Sequence, residues 1–220
     1  MGYDLTEISK VEAYMIRDII KNSNVKDKGN PKSDIQVQVT IFLKNIPDPQ
    51  NISVKLVSSQ SGFNQIDKRR IDKYREMWKI PDDIVLSLKY FTGEVEPIDF
   101  GFGLSDDRRM YLNQLNLESQ RNLINFFEDN KITIISDIIK GRGAFSAQWM
   151  LVVHKVTDTE SKWAFKSINE VINHYSKGEV KISPKGSLNI GKLTAQRKGG
   201  DGGRESAKML QFKFNPLELI

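Results

Sequence analysis

The 220-residue chain has no cysteine and only two histidines, His154 and His174. Without cysteine there are no disulfides, thiol nucleophiles, thiolate zinc sites or iron–sulfur clusters, and the absence fits a reducing compartment. Two isolated histidines cannot build a His-rich metal centre. Any metal ion must therefore sit among oxygen ligands, which favours a hard cation such as Mg2+. No apolar run approaches the roughly 18 residues of a membrane span. The N-terminal stretch MGYDLTEISK lacks the apolar core of a signal peptide, so the expected location is cytoplasmic, with no membrane partner. Internal repeats and low-complexity tracts are absent as well.

What is present is the composition of a folded domain: 39% hydrophobic, 28% charged and 9% aromatic residues. Thirty-three Lys and Arg against 28 Asp and Glu leave a net charge of +5. The surplus has a location. Residues 1–176 balance at 24 basic and 24 acidic side chains, whereas residues 177–220 carry nine basic against four acidic. An anionic partner is expected to engage that C-terminal segment.

Patterning predicts a mixed α/β chain. The clearest strand runs from Ile35 to Lys44, with Ile35, Val37, Val39, Ile41 and Leu43 on one face and Gln36, Gln38, Thr40 and Lys44 on the other. A turn over Asn45 to Asn51, marked by two prolines, leads to a return strand from Ile52 to Val57, so residues 33–57 read as a β-hairpin. Residues 58–70 read as a polar loop entering a helix with Ile66, Tyr74, Met77 and Trp78 on one stripe, which Pro81 ends. Asp82 is placed to cap the next helix, which carries Ile84, Leu86, Leu88 and Phe91. Residues 92–109 read as a long loop that divides the chain into regions 1–91 and 92–220, interwoven as one globular unit.

Beyond that loop, a helix is expected over Glu118 to Asp129, with Leu123, Ile124, Phe126 and Phe127 inward. Segments 132–139, 145–156 and 162–167 are rich in β-branched and aromatic residues and read as strands. Ser167 to Glu170 forms a capping box for a helix that buries Ile168, Val171, Ile172 and Tyr175. The remaining residues alternate short strands with glycine-rich turns.

Three constellations could carry chemistry. Ser33-Asp34 lies at the mouth of the hairpin, and Ser53 and Lys55 point to one side of the returning strand. Asp34 has the parity of the polar face, so the hairpin can bring carboxylate and ammonium together. That pairing suits metal-assisted phosphodiester hydrolysis, although a strand-start Asp and a Lys on a solvated strand face are also ordinary features of β proteins. The second constellation is Gln196-Arg197-Lys198 with the glycine run that ends at Arg204. Glycines admit close backbone approach, and the basic side chains can contact phosphates or guanine edges; the alternative is a solvated turn. The third is Gly62-Phe63-Asn64-Gln65, where a Phe beside amides could wedge into a base step or could simply anchor its loop to the core. Weaker features are Gly141-Arg142-Gly143, a phosphate contact or a turn, and Ser136-Asp137 with Gln148 downstream.

Taken together, the segments KSDIQVQVTIF, ISVKLVSS, SGFNQIDK, YREMW, YFTGE, Arg108-Arg109-Met110, GRGAF, the run from Ile168 to Tyr175, and LTAQRKGGDGGRESAKMLQFKFNP resemble a known family. They resemble the small type II restriction endonucleases that recognise GCGC, within the PD-(D/E)XK nuclease superfamily. The resemblance runs from about Gly2 to the C-terminus. It implies an α/β restriction-endonuclease-like core, with a mixed central β-sheet flanked by helices, and Mg2+-dependent cleavage of double-stranded DNA. It further implies that residues 1–91 hold the catalytic hairpin and a recognition loop, and 92–220 a DNA-recognition region with basic C-terminal strands.

By the same resemblance Asp34 is the metal-binding aspartate and Lys55 the catalytic lysine. Phe63 is the wedge, with Asn64, Gln65 and Lys68 around it as DNA contacts, and Gln196, Arg197 and Lys198 form the C-terminal recognition strand and turn. Arg142 and Arg204 add phosphate contacts. A monomer or weak homodimer is expected, with a cognate DNA methyltransferase as a genetic partner in a restriction-modification pair. Two departures stand out. Ser53 occupies the place of the Gln in the relatives' Gln-X-Lys signature, and a hydroxyl is a shorter, neutral ligand. The relatives also carry a helical segment before the equivalent of Gly2, which can supply a further carboxylate; Glu7 or Glu12 is the candidate substitute here. Loss of efficient cleavage with retained DNA binding is the alternative these departures raise.

Overall fold

A computed structural model describes residues 1–17, 36–43, 46–58, 62–97, 108–199 and 204–220. In chain order the elements are β1 (Ile8–Met15), β2 (Gln36–Leu43), β3 (Ile46–Val57), β4 (Asn64–Arg69), α1 (Ile71–Trp78), α2 (Asp82–Thr92), α3 (Leu117–Asp129), α4 (Lys131–Lys140), β5 (Trp149–Lys155), β6 (Ser161–Ser167), α5 (Ile168–Tyr175), β7 (Val180–Ile182), β8 (Leu188–Ile190), β9 (Leu193–Arg197) and β10 (Leu210–Phe214). They fall into two compact units. One comprises Met1–Asn64, Ser136–Asn173 and Asn215–Ile220; the other comprises Gln65–Ile135 and His174–Phe214. Among the described residues no helix is long and apolar enough to cross a membrane.

The first unit is built on a five-stranded sheet in the order β1-β2-β3-β5-β6. β2 and β3 form the expected antiparallel hairpin, but its turn is shorter than the prolines imply, because β3 already begins at Ile46. Pro47 and Pro49 lie within the strand, opposite Phe42 and Thr40. Asn51 shares their parity, and its N–H points away from β2 to Gln148. The amide hydrogens that proline lacks are therefore ones that β2 would not have used. Beyond Asn51, β3 pairs in parallel with β5, from Ile52 opposite Trp149 to Val57 opposite His154. The other pairings in this sheet are antiparallel.

The second unit carries a sheet in the order β4-β10-β9-β8-β7. α1 packs on α2, α2 on α3, and α3 on β7. Its aromatic centre is Tyr74, Trp78 and Phe212: Tyr74 stacks on Trp78 at 4.8 Å, and Phe212 meets Tyr74 edge-on at 5.3 Å. The Tyr74 hydroxyl donates to the buried Asp67 carboxylate at 2.8 Å, and Arg69 donates to the same group at 2.9 Å. Burial first, and then the Asp67 charge, push the Tyr74 phenol well above its ordinary pKa.

Three expectations from sequence fail here. Residues 132–139, read as a strand, lie in helix α4. Ile134, Ile135, Ile138 and Ile139 are buried while Ile132 is exposed, which is helical spacing, so packing outweighs the β-branched propensity. The stretch read as polar loop contains strand β4, and Ile66 belongs to it rather than to the helical stripe. Its polar residues are inside the sheet because Asp67 has partners there. Asp82, expected as a cap, is instead the first residue of α2, whose N-cap is Pro81; its carboxylate still lies in the first turn, where the helix dipole favours it. α1 ends through Lys79 in a left-handed conformation, φ 56°, before Pro81. The Ser167–Glu170 capping box forms as expected, Glu170 accepting from the Ser167 N–H at 3.0 Å.

Glu94 accepts the Ile71 N–H at 2.9 Å at the start of α1, and burial raises its carboxyl above the ordinary value. The folded protein therefore keeps that proton to higher pH than the unfolded chain does, and stability falls as pH rises through the raised value. Glu94→Gln keeps the acceptor oxygen and removes the charge. Thermal unfolding followed by circular dichroism should show the variant gaining on the wild type at pH 7 and losing that advantage near pH 4.

Candidate functional site

Strand β3 has an inverted burial pattern. Ser53 and Lys55 are each 2% exposed, whereas Leu56 between Lys55 and Val57 is 61% exposed. A solvated lysine face, the ordinary alternative for this pattern, is thus excluded. The buried face continues onto β5 through Met150 and Val152, which lie opposite Ser53 and Lys55. The reverse face carries the exposed Leu56 and Trp163, both flanking Val153 in the cross-strand row. A sheet that turns serine and lysine inward and leucine and tryptophan outward is not arranged for stability alone, since a buried ammonium must be compensated.

Asp34 lies outside the described residues, as does Ser33. The pairing of β2 with β3 nevertheless sets even positions of β2 opposite odd positions of β3, from Gln36 opposite Ser53 to Phe42 opposite Pro47. Glu12, one of the acidic residues near the N-terminus, is not near this point. It pairs across β1 and β2 with Thr40, itself opposite Pro49, and is salt-bridged to Lys10. Four residues along a strand place that row about 13 Å from Ser53. Among the described residues no cluster of three or more His, Cys, Asp or Glu side chains gathers. On the Ser53–Lys55 face the Ser53 hydroxyl is one oxygen donor, and the Asn51–Gln38 amide pair lies two positions along the strands.

Two residues before Ser53, the buried Asn51 holds the strand in place. Its side-chain amide donates to the carbonyls of Ser146 at 3.1 Å and Ala144 at 3.3 Å, and its oxygen accepts from Gln38 at 3.0 Å. Its N–H donates to the Gln148 side chain at 2.7 Å, and the Gln148 N–H returns a bond to the Asn51 carbonyl at 2.8 Å. These bonds fix the register in which β5 enters beside β3. Sequence reasoning missed Asn51, because an asparagine beside prolines reads as a turn. Gln148 acts in this clamp. Asp137 forms an ion pair with Arg142, so that basic side chain already has a protein carboxylate beside it.

Phe63 is 57% exposed, so it does not anchor its loop to the core. Gly62 precedes it at φ 64°, packed against the Asn215 side chain so closely that a Cβ has no room. Asn64 follows, with a buried amide nitrogen that has no hydrogen-bond partner. An aromatic ring presented to solvent from a glycine-fixed turn is a wedge geometry.

In the second unit, β4 and β9 flank β10. Gln65 and Lys68 on β4 thus share a sheet with Gln196 and Arg197 on β9, although the two segments are far apart in sequence. Gln196 and Arg197 leave opposite faces of β9. Gln196 is paired with Gln211, and Arg197 with the buried Leu210 on the side of Ala195 and Phe212. Gln211, 7% exposed and beside Gln196, is a polar residue of this sheet that sequence reading passed over; its alternation with Leu210 and Phe212 was the available signal. Lys198 continues the strand, its N–H bonded to the Met209 carbonyl and its own carbonyl accepting from Arg109 at 3.2 Å. Arg204 is exposed at the N-cap of a short turn.

Over its whole length, residues 1–220, the chain matches the R.HinP1I restriction endonuclease family. It is a member of that family. Membership in the R.HinP1I family makes it a restriction endonuclease of type II kind, a class defined by sequence-specific DNA cleavage. The fold agrees. The crystal structure of restriction endonuclease MspI in complex with its cognate DNA superposes with a TM-score of 0.62 over 96% of this chain and 73% of that one, at 12% identity. None of the curated proteins compared matches the chain.

Lys55→Met keeps the length of the buried side chain and removes its charge. Duplex binding measured by gel shift should persist within about threefold, while cleavage falls by about 100-fold or more, the scale of losing one preorganised electrostatic group.

Proposed function

We propose that this R.HinP1I-family protein hydrolyses phosphodiester bonds in duplex DNA at GCGC, with Mg2+ as the cofactor. The observation that carries the reading is the inward-facing Ser53–Lys55 pair on a strand that exposes leucine instead. In this proposal Asp34 holds the metal and Ser53 contributes a neutral oxygen, directly or through water, a donor set of the hard kind Mg2+ takes. The bound ion would polarise the phosphate and lower the pKa of an attacking water. Lys55 positions or activates that water and counters the charge that grows on the phosphate, in surroundings where water cannot screen it. Phe63 opens the base step, Asn64, Gln65 and Lys68 contact DNA beside it, and Gln196, Arg197, Lys198 and Arg204 meet bases and phosphates from the C-terminal strands. Arg142 would have to leave Asp137 to take part. A cognate methyltransferase would be the genetic partner, and the working unit a monomer or weak homodimer.

Plasmid DNA incubated with the protein and Mg2+ should give discrete bands whose ends map to GCGC. A smear, or intact DNA in every divalent metal tried, would defeat the proposal. Ser53 favours one second reading, a DNA-binding protein of the same fold with reduced cleavage. Under that reading the wild type binds GCGC duplex without cutting it, and Ser53→Gln, which restores a longer oxygen donor, cuts.

A further inference from the structure

The guanidinium of Arg197 lies over the Tyr111 ring, with its central carbon 3.9 Å from the ring centroid. One terminal nitrogen, Nη1, is buried there with no hydrogen-bond partner. Arg197 as a whole is only half-buried, and a cation held over an aromatic face does not use up its N–H groups, which leaves the remaining donors of the guanidinium for an external acceptor. Tyr111 is itself fixed from three sides. Its N–H donates to the Gln114 side chain at 2.6 Å, the next residue's N–H donates to the Gly186 carbonyl at 3.1 Å, and its Cβ lies 2.5 Å from where a Gly186 Cβ would be. Gly186, at φ 74°, leaves the space the ring occupies. On the strand side, Arg109 bonds the carbonyl of Lys198, next to Arg197. The pairing of Arg197 with Leu210 would otherwise direct this side chain along the apolar face of the sheet; the tyrosine gives it a platform there.

We infer that Tyr111 is a positioning residue for base selection: it orients the Arg197 guanidinium so that it donates to the N7 and O6 edge of a guanine. The inference rests on the proposed GCGC reading. A rigid planar fork matched to a guanine edge discriminates bases, whereas a mobile cation of equal charge contacts any phosphate.

The test measures binding of the full chain, without divalent metal, by fluorescence anisotropy. The probes are a GCGC duplex, the same duplex with 7-deazaguanine at each guanine in turn, and a duplex of permuted sequence. For the wild type, one 7-deazaguanine position should weaken binding about tenfold, the scale of one bidentate base contact. Tyr111→Ala should bind the unmodified duplex about tenfold less tightly and show no further penalty at that position. Tyr111→Phe, which keeps the ring face, should behave as the wild type. Arg197→Lys keeps the charge and should lose the penalty with its salt dependence unchanged, and it carries the test alone should Tyr111→Ala fail to fold.

The inference is overturned if the wild type prefers GCGC but shows no 7-deazaguanine penalty, or if Tyr111→Ala or Arg197→Lys retains it. Equal weakening of GCGC and permuted duplexes by Tyr111→Ala, with a shallower salt dependence, would make the contact a phosphate contact and also overturn it. A wild type with no preference for GCGC sinks the parent reading and this inference together.

Discussion

Parallel pairing of β3 with β5 is the constraint around which the chain is organised. Two parallel strands cannot be joined by a tight turn, so the chain leaving Val57 must make a long excursion before it returns at Trp149. In most α/β units one helix suffices for that crossover. Here the excursion contains Gln65–Ile135, a large part of the second unit. Once the β2–β3 hairpin is committed to a parallel neighbour, a large insertion in the connection comes at little topological cost. Asn51 and Gln148 hold the junction where the excursion closes, so a few hydrogen bonds fix the register of the strand that bears Ser53 and Lys55.

The second unit solves a different problem, namely how to place polar side chains on a sheet that also needs a core. Several of its buried polar groups have specific partners. Asp67 receives both Tyr74 and Arg69, Glu94 closes the start of α1, and Arg109 reaches the carbonyl of Lys198. Each such bond would be costly to leave unmade, and together they specify one arrangement of β4 beside β10. The unit's polar surface is therefore as structured as its aromatic centre.

Much of this was readable from residue order, and the failures are informative. The hairpin, the return strand, the capping box at Ser167 and the helix near Glu118 followed from local period and cap chemistry. Residues 132–139 failed because β-branched content was weighed above the spacing of the isoleucines. β4 was missed because its charged residues read as loop, whereas Arg69 and Tyr74 satisfy the buried Asp67 and the strand it pairs with, β10, lies far along the chain. For the site, sequence placed Ser53 and Lys55 on one side of a strand but could not say that this side is the buried one; the exposed Leu56 reverses the usual binary pattern. Gln196 and Arg197, adjacent and equally polar, read as one patch and occupy opposite faces. Tyr111 gave no signal at all, since its partner lies on β9.

The burial of Lys55 also separates two kinds of electrostatics in one molecule. A charge removed from solvent by a sheet and its cover acts over a distance that mobile ions do not enter, whereas Lys68 and Arg204 stand in solvent and share their field with the ion atmosphere. On the proposed function, ionic strength would act on the two halves of the task unequally: added salt would thin the attraction that brings a polyanion to Lys68 and Arg204, yet leave the field around Lys55 nearly as it was, so that the chemical step would be insulated from the ionic conditions that govern capture.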